Sequence, residues 1–425
     1  MTSLSHRTDF PKINKENNLK KLPLPMQYMG GKGRIVNKIL DGISSHFDTT
    51  TRFIDLFAGS GVVSFHAKAM GYQVHANDIQ PYSSVVLSSL ISTSTCGLEN
   101  LIDSLENITD DKVFNGSRSK YLSEYFCEKT HTSALNDNRF DWQEYQYFCE
   151  STILCSGMKP DIERLKRNEQ WSLFLSYYRN TYFGVKQCAE IDFLRELCEE
   201  SDENISKHLM ASVISSLTYC VSSTTHLAQY LKPSTEKNSI NLLKRRNLKV
   251  IDHVIKRLKL LLEMESLQNS EVINADFRVA LDHFDLDSTC IVYADPPYFK
   301  EHYSRYYHVL DTFVLYDYPE LTFNKRLGGT TKGRYRENRL VSDFGKKSLV
   351  RAAFNDLYES CVRYGNKLAI SYACSSLVEK EFFYNLAKEK NLNIEALEFE
   401  LTHTGQGQAR HKKVTEYLFL ISNTK

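Results

Sequence analysis

Several features that mark specialised classes of protein are missing from this sequence. Its 425 residues include only 9 Pro and 18 Gly, which argues against long disordered or collagen-like stretches. No apolar run approaches the roughly 18 residues that cross a bilayer, and the polar, basic residues 1–25 lack the apolar segment of a secretory signal. The ten Cys form no C-x-x-C pair and have no His cluster beside them, which argues against a disulfide framework and a structural zinc site. We therefore expect a cytoplasmic protein with no membrane span and no metal.

A strong net charge is also absent. Lys and Arg number 53 against 52 Asp and Glu, which gives a formal charge of +1. This balance excludes a globally cationic nucleic-acid coat protein but still permits a local basic face. The length predicts about two or three folded units, and a hydrophobic content of 42% is enough to bury a full core.

The N-terminal part of the chain has the pattern of an α/β protein. Residues 1–25 are predicted to form a flexible tail, and residues 26–94 alternate short apolar runs with helical periodicity. An apolar run over 51–61 ends in small residues, a helical pattern follows over 62–70, and a strand pattern covers 72–78. Strand, glycine turn, helix and strand make a βαβ unit, which predicts a parallel sheet.

The rest of the chain divides into two further segments. Residues 95–270 are rich in Glu, Lys, Asn, Ser and Tyr and predict a mostly helical insertion, in which an acidic stretch (190–203) and a basic one (244–259) are interpreted as solvated helix faces. Residues 271–425 return to strand patterns interleaved with helices. The predicted strands lie within residues 271–277, 290–298, 366–373, 395–403 and 414–422.

A basic segment interrupts this last part. Residues 324–340 read NKRLGGTTKGRYRENRL, a composition that predicts a long loop over an active site rather than a packed element.

The strongest chemical motif is Tyr-Ala-Asp-Pro-Pro-Tyr at residues 293–298, at the end of an apolar strand. Open α/β sheets bind ligands outside the carboxyl ends of their strands. Two prolines fix the backbone, so the carbonyls beside Asp295 and Pro296 are held in a stiff extended shape. A carboxylate, rigid carbonyls and the ring of Tyr298 suit a planar base with an exocyclic amine, because Asp295 and the Pro296 carbonyl can accept both amine hydrogens while the ring stacks. The alternative is a surface turn that ends a strand.

A second motif, Asp-Leu-Phe-Ala-Gly-Ser-Gly, occupies residues 55–61. Gly59 and Gly61 let the backbone turn sharply and approach a ligand closely. With Ser64 as a third small residue, the spacing does not exclude a nicotinamide-dinucleotide site. Asp78, at the end of the next strand, can accept both hydroxyls of a ribose; the alternative for this residue is a helix N-cap.

A third motif, Met-Gln-Tyr-Met-Gly-Gly-Lys-Gly, occupies residues 26–33. Its glycines expose backbone N–H groups, Lys32 supplies a cation and Tyr28 supplies a flat face. The spacing of a Walker phosphate loop is absent, and a lone Gly-Gly-Lys is more often a turn than a site.

These three motifs, in this order, resemble the Dam-like DNA adenine-N6 methyltransferases, which carry a D-P-P-Y motif. The resemblance continues in Arg-Asn-Thr-Tyr-Phe-Gly at 179–184 and in Asn-Ala-Asp-Phe at 274–277. It ends with Gly-Gln-Gly at 405–407 and Lys-Lys-Val-Thr-Glu at 412–416. The similarity covers residues 26–94 and 271–422 well and the middle of the chain only in patches.

The resemblance implies a Rossmann-like, S-adenosylmethionine-dependent methyltransferase sheet with an inserted, mostly helical target-recognition region. It implies that S-adenosyl-L-methionine is bound by Tyr28, Lys32, Phe57, Gly59, Gly61, Asp78, Asp276, Phe277 and Asp295. It further implies that the target base is held for methylation by Asp295, Pro296, Pro297 and Tyr298.

By the same resemblance the substrate is double-stranded DNA, and a cognate restriction or defence protein is a further expected partner. The residues expected to contact DNA are Arg179, Asn180, Lys244, Arg245, Arg246, Arg334, Arg336, Arg410, Lys412 and Lys413. Three alternatives remain open at this point: methylation of adenine in RNA, methylation of cytosine N4, and a catalytically silent DNA-binding module with the same fold.

Overall fold

The structure is a computed structural model that describes ten stretches of the chain. These are residues 22–47, 50–152, 161–168, 170–223, 226–264, 270–297, 303–326, 328–374, 376–403 and 412–424. For residues 168, 401–403 and 412–414 only the backbone is described. Most of the predicted tail, together with Tyr298 and Arg410, lies outside the described residues.

A mixed α/β architecture is built around one central sheet of seven strands, and a separate hairpin has two. The strands of the described residues are β1 (Arg52–Asp55), β2 (Gln73–Asn77), β3 (Val272–Ile273), β4 (Cys290–Ala294), β5 (Phe323–Asn324), β6 (Gly329–Thr330), β7 (Lys367–Ala373), β8 (Leu392–His403) and β9 (Lys412–Asn423).

The order of strands in the sheet is β3-β2-β1-β4-β7-β9-β8. The first five are parallel, and β9 runs antiparallel to both of its neighbours. From β1 the chain moves outward to β2 and β3 on one side, and then returns to place β4 on the other side. Such a reversal of strand order opens a crevice at the carboxyl ends of β1 and β4, where α/β proteins usually bind their ligands.

Helices make up most of the remaining regular structure. Those of the described residues are α1 (Val36–His46), α2 (Val62–Ala69), α3 (Pro81–Ile91), α4 (Leu98–Glu106), α5 (Asp110–Val113), α6 (Leu122–Asn136), α7 (Trp142–Thr152), α8 (Ile162–Asn168), α9 (Leu173–Tyr177), α10 (Val185–Glu200), α11 (Glu203–Cys220), α12 (Glu236–Arg246), α13 (Val250–Leu262), α14 (Phe277–His283), α15 (Tyr303–Tyr306), α16 (His308–Leu315), α17 (Val350–Tyr364) and α18 (Lys380–Glu389). Each of the seven strand patterns found in the sequence coincides with a strand of the central sheet, and the helical pattern over 62–70 coincides with α2.

Both faces of the sheet are covered, because successive strand residues point in opposite directions. Phe53 and Tyr293 belong to one apolar core, which includes side chains of α1–α3 and of the helices that follow them. Ile54 and Val292, one position along each strand, belong to a second core with α14, α17 and α18. The continuous apolar runs of β1 and β4 follow from this burial on two sides.

Buried carboxylates connect helices of the region between α4 and α13. Glu128 accepts the backbone N–H groups of Val185 (2.9 Å) and Lys186 (3.1 Å) at the start of α10. Glu190 accepts the N–H of Val250 at 2.6 Å at the start of α13. The first N–H groups of a helix have no partner within it, so each carboxylate satisfies donors that would otherwise be buried unpaired.

The interpretation of the acidic stretch 190–203 as a solvated face is therefore wrong for its first part. Glu190 and Asp192 are buried, and only residues near the end of the stretch, such as Glu199 and Glu200, are exposed. Asp192 accepts the N–H groups of Phe174 (2.8 Å) and Leu175 (2.9 Å) and the hydroxyl of Tyr316 (2.6 Å). These acids connect helices across the interior.

The segment 324–340 also differs from the expectation of a loop that lies over the site without packing. Its middle is anchored, since Arg334, Tyr335 and Arg336 are all buried. Among the described residues of this segment, only Leu340 at its far end lines the crevice, and Ser342 lines it just beyond the segment.

Among the described residues, no helix has the length and apolar character needed to cross a bilayer.

We predict that Asp192→Ala lowers the free energy of unfolding by about 3 kcal/mol, because it leaves two helix N–H groups and a tyrosine hydroxyl buried without an acceptor. The matched control is Glu199→Ala on the same helix, whose side chain is 62% exposed. That change is expected to stay within about 0.5 kcal/mol of the parent. Urea unfolding followed by circular dichroism measures both, and equal losses would contradict the connecting role of Asp192.

Candidate active site

The first wall of the crevice is the glycine turn after β1. Gly59 and Gly61 have φ angles of +53° and +75°, a region that side chains with a Cβ avoid. The turn is closed by the Gly61 N–H, which donates to the Ala58 carbonyl at 2.8 Å, and the Ala58 N–H donates to the Asn77 carbonyl at 3.1 Å. Backbone N–H groups and small residues are thereby held at the carboxyl end of β1.

Three carboxylates meet at this edge of the sheet. Asp55 ends β1, Asp78 directly follows β2, and Asp295 directly follows β4. These strands are adjacent and parallel, so their carboxyl ends share one edge. All three side chains line the same cleft.

Asp78 is held in place by the glycine turn. Its two oxygens accept N–H groups from Gly59 and Gln80, each at 2.8 Å. Burial raises the pKa of Asp78, while these two hydrogen bonds act in the opposite direction. The carboxylate is fixed at the mouth of the turn, where it can accept further hydroxyl groups.

Asp55 is fully buried and was not singled out by sequence reasoning. Its Oδ2 accepts the Ser64 hydroxyl at 2.6 Å, and its Oδ1 lacks a well-formed hydrogen bond among the described residues. Burial is the main cause that raises the pKa of Asp55 to about 7. An acid at the end of the first strand of a parallel sheet is the sequence signal that could have identified it.

Asp295 lies beside a buried lysine. The Nζ of Lys32, which is only 4% exposed, lies 2.8 Å from Asp295 Oδ1 and 3.0 Å from Glu416 Oε1. Burial raises the pKa of Asp295 to about 6; Glu416 adds to this rise, and the Lys32 ammonium opposes it. Sequence reasoning missed the role of Glu416, because its approach to the site depends on how β9 pairs with β7.

Tyr28 belongs to a cluster of three near-parallel tyrosine rings, in which the centroids of Tyr303 and Tyr307 lie 6.2 Å apart. Its ring centroid is 5.5 Å from that of Tyr303 and 4.9 Å from that of Tyr307, with interplanar angles of 22° and 11°. The backbone next to it is tied to the same two residues, since the Met29 N–H donates to the Tyr307 hydroxyl at 2.7 Å and the Tyr303 hydroxyl donates to the Met29 carbonyl at 3.1 Å. The Gly-Gly-Lys segment is thus joined to the chain that follows β4.

Most of the predicted cofactor residues come together in this cleft. Those that line it are Tyr28, Lys32, Phe57, Gly59, Asp78 and Asp295, joined by Pro297 of the predicted base-binding turn. Gly61 shapes the turn from behind, and Pro296 lies between two lining residues. Tyr298 lies outside the described residues.

The structure does not bring Asp276 and Phe277 into the cleft wall among the described residues. Asp276 caps α14 by accepting the Arg278 N–H at 3.0 Å. Phe277 is buried behind Phe57, at a ring distance of 5.7 Å. Phe277 therefore supports the wall through Phe57.

Comparison with known proteins shows the family of the chain. The sequence model of the D12 class N6 adenine-specific DNA methyltransferases matches residues 28–391, which is most of the chain. The chain belongs to this family.

The chain is similar to several curated relatives that are named as modification methylases or Type II methyltransferases. It is 26% identical to "Modification methylase LlaI" of Lactococcus lactis subsp. lactis over 85% of its own length and 48% of the relative. It is 24% identical to "Type II methyltransferase M.FokI" of Planomicrobium okeanokoites, over 93% of its own length and 52% of the relative. It is 23% identical to "Type II methyltransferase M.NlaIII" of Neisseria lactamica, over 94% of its own length and 100% of the relative. The chain thus spans about half of the first two relatives and the whole of the third.

The residues predicted to contact DNA fall into two groups, and the first group is buried. Arg246 is 1% exposed and donates to the carbonyls of Asn180 and Thr181, and Asn180 is itself 1% exposed. Arg334 is buried and donates to the Tyr177 carbonyl. For these residues the expectation of a DNA contact is corrected, because they are buried and donate hydrogen bonds inside the protein.

Arg179 and Arg336 are also held by internal partners. Arg179 pairs with Glu124 at 2.7 Å, and the buried Arg336 pairs with Asp317 at 2.7 Å. Each guanidinium therefore already has a carboxylate partner inside the protein.

The second group, which remains a set of candidates for DNA contact, consists of Lys244, Arg245, Arg410, Lys412 and Lys413. Lys244 is exposed, and Arg245 is half-buried with one N–H donated to the Ser223 carbonyl. Arg410 lies outside the described residues, and for Lys412 and Lys413 only the backbone at the start of β9 is described.

We predict that Gly59→Ala destabilises the protein more than Gly116→Ala does, although both glycines have nearly the same φ angle, +53° and +59°. Both changes incur a left-handed backbone cost of about 1–2 kcal/mol. Only at Gly59 does the new Cβ meet another group, because it would lie 2.9 Å from the Tyr28 hydroxyl and 3.1 Å from the ring. The added cost is expected to be about 1–3 kcal/mol, measured by urea unfolding; equal values for the two variants would mean that Tyr28 moves away freely.

Proposed function

We propose that this chain is a site-specific DNA methyltransferase that transfers a methyl group from S-adenosyl-L-methionine to N6 of an adenine flipped out of double-stranded DNA. The observation that carries the proposal is the position of Asp295. It follows β4 directly, lies on the cleft formed by the glycine turn of β1, and has an ammonium group 2.8 Å away. Membership of the D12 class and the names of the relatives support adenine as the target.

The cleft has the chemistry that this cofactor requires. S-adenosylmethionine carries an ammonium and a sulfonium, and the cleft presents Asp55, Asp78 and Asp295. The buried Oδ1 of Asp55 can accept a hydrogen bond from the ammonium, and Asp78 can receive the ribose hydroxyls. Phe57 and Ile79 supply an apolar wall for the adenine ring. In this view the central sheet is a Rossmann-like methyltransferase sheet.

The reaction needs help at the acceptor amine, because the lone pair of N6 is delocalised into the adenine ring. When Asp295 and the Pro296 carbonyl accept hydrogen bonds from the two N–H groups of this amine, the nitrogen becomes more tetrahedral and its lone pair points away from the ring plane. Held by residues such as Asp55, Asp78 and Phe57, S-adenosylmethionine would supply an electrophilic methyl carbon to this lone pair, with its sulfur as the leaving group. The new N6 ammonium then gives one proton to Asp295, which releases it to solvent.

We assign the helices from α4 to α13 as a region inserted between the two halves of the catalytic sheet, with a role in target recognition. Exposed cations such as Lys244 provide the local basic surface that a protein with a formal charge of +1 needs to bind DNA. A restriction or defence enzyme with the same target sequence is the partner proposed by analogy with the modification methylases.

We predict that Asp295→Asn keeps the fold and lowers methyl transfer by at least 100-fold, because one acceptor at the amine becomes a donor. Transfer is measured from radiolabelled S-adenosylmethionine to duplex DNA, and the fold is checked by circular dichroism. Asp285→Asn, an exposed acid on the segment before β4, serves as the control and is expected to match the parent.

Undiminished activity of Asp295→Asn would remove this residue from the mechanism. Structured RNA is included in the assay as a competitor, and preferential labelling of RNA would replace DNA as the proposed substrate. Cofactor binding without transfer to either substrate would indicate a silent module.

We also predict an acid limb in the pH dependence of the rate. Asp295 must be ionised to accept the amine hydrogens, and its pKa is raised to about 6. The rate should therefore fall as the pH is lowered through about 6 and approach a tenfold loss per pH unit below that. Single-turnover rates between pH 5 and pH 8.5 measure this limb; a flat profile over this range would exclude an essential carboxylate with such a pKa.

A further inference from the structure

Glu416 reaches the site from a distant strand of the sheet. It lies on β9 opposite Ala373, the last residue of β7, and it is only 3% exposed. Since β7 lies between β4 and β9, the Lys32 side chain spans the end of β7 to contact carboxylates on both sides.

Two carboxylates share one buried ammonium in this arrangement. Lys32 contacts Asp295 at 2.8 Å and Glu416 at 3.0 Å, so its charge is not available to Asp295 alone. If Lys32 paired with Asp295 only, its full charge would make that carboxylate less basic. Asp295 would then be a weaker hydrogen-bond acceptor for the substrate amine. Two buried carboxylates on one ammonium leave an uncompensated negative charge, which is costly, so the presence of the second acid requires an explanation.

We propose that Glu416 is a positioning residue for the methyl-transfer reaction: it holds the Lys32 ammonium on Oδ1 of Asp295 and shares its charge, so that Oδ2 remains a strong acceptor for the target amine. This inference rests on the proposed function and adds a residue to it. Glu416 acts through Lys32 and does not touch the substrate.

The groups that face Asp295 determine the sign of the effect. Among the described residues these groups are Lys32 before α1, Asp55 on β1, Tyr293 on β4 and Glu416 on β9. Among them Lys32 favours the ionised form of Asp295, while Glu416 opposes it. Loss of the charge on Glu416 therefore lowers the pKa of Asp295 and weakens it as an acceptor.

The test is Glu416→Gln, which keeps the size of the side chain and removes its charge. We expect the acid limb of the rate to move to lower pH by about one unit, and kcat at pH 8 to fall about tenfold, the lower end of what supporting partners contribute. The KM for S-adenosylmethionine should stay within about twofold of the parent. Glu416→Asp, which keeps the charge, should retain the acid limb of the parent.

Glu398→Gln is the control, because Glu398 lies on the neighbouring strand β8 with a side chain that is 54% exposed. It is expected to match the parent in rate and in pH profile. A fall in kcat of Glu416→Gln with an unmoved acid limb would mean a structural role and would overturn the inference, and so would an unchanged enzyme.

A readout independent of turnover separates this inference from the proposed function. The carboxyl carbon of Asp295 is followed by NMR in protein labelled with ¹³C-aspartate, with the signal assigned from Asp295→Asn. A lower pKa of Asp295 in Glu416→Gln than in the parent supports the charge sharing, and equal values overturn it, whether or not the parent methylates DNA.

Discussion

The cleft depends on placing three carboxylates at one buried edge of a sheet. Asp55, Asp78 and Asp295 end neighbouring parallel strands, and desolvation raises the pKa of each of them. Such a cluster is stable only if nearby groups compensate the charge. Backbone N–H groups of the glycine turn serve Asp78, the Ser64 hydroxyl serves Asp55, and the ammonium of Lys32 serves Asp295. Compensation is therefore local and incomplete, which makes the cleft a natural place for a small cationic molecule.

The sequence contained enough information to predict the centre of the fold and most of this cleft. Parallel strands that are buried on both faces leave long apolar runs, and the residues that follow such strands meet at one edge. Asp78, Gly59 and Asp295 could be found because each stands just beyond such a run. The Gly-Gly-Lys segment was ambiguous alone and became informative only in its order with the other two motifs.

What could not be predicted depends on contacts between parts of the chain that are far apart in sequence. Arg246 and Arg334 have the composition of surface cations, yet they satisfy carbonyl groups in the interior. Glu190 and Asp192 belong to an acidic run, but they accept backbone N–H groups at the starts of α13 and α9. Charge in a sequence shows that a side chain needs a partner, and only the tertiary structure shows whether that partner is water, a backbone group or another molecule.

The tyrosine cluster has a mechanical consequence. The hydroxyls of Tyr303 and Tyr307 bind both polar groups of the Met29 backbone, and their rings pack against Tyr28. The segment that begins at Tyr303 and the segment before Lys32 are therefore held together by hydrogen bonds and ring contacts. In the proposed reaction the segment before Lys32 lies on the cofactor side of the cleft, and the segment after Pro297 lies on the side of the target base. A movement of one segment away from the cleft would therefore disturb the other.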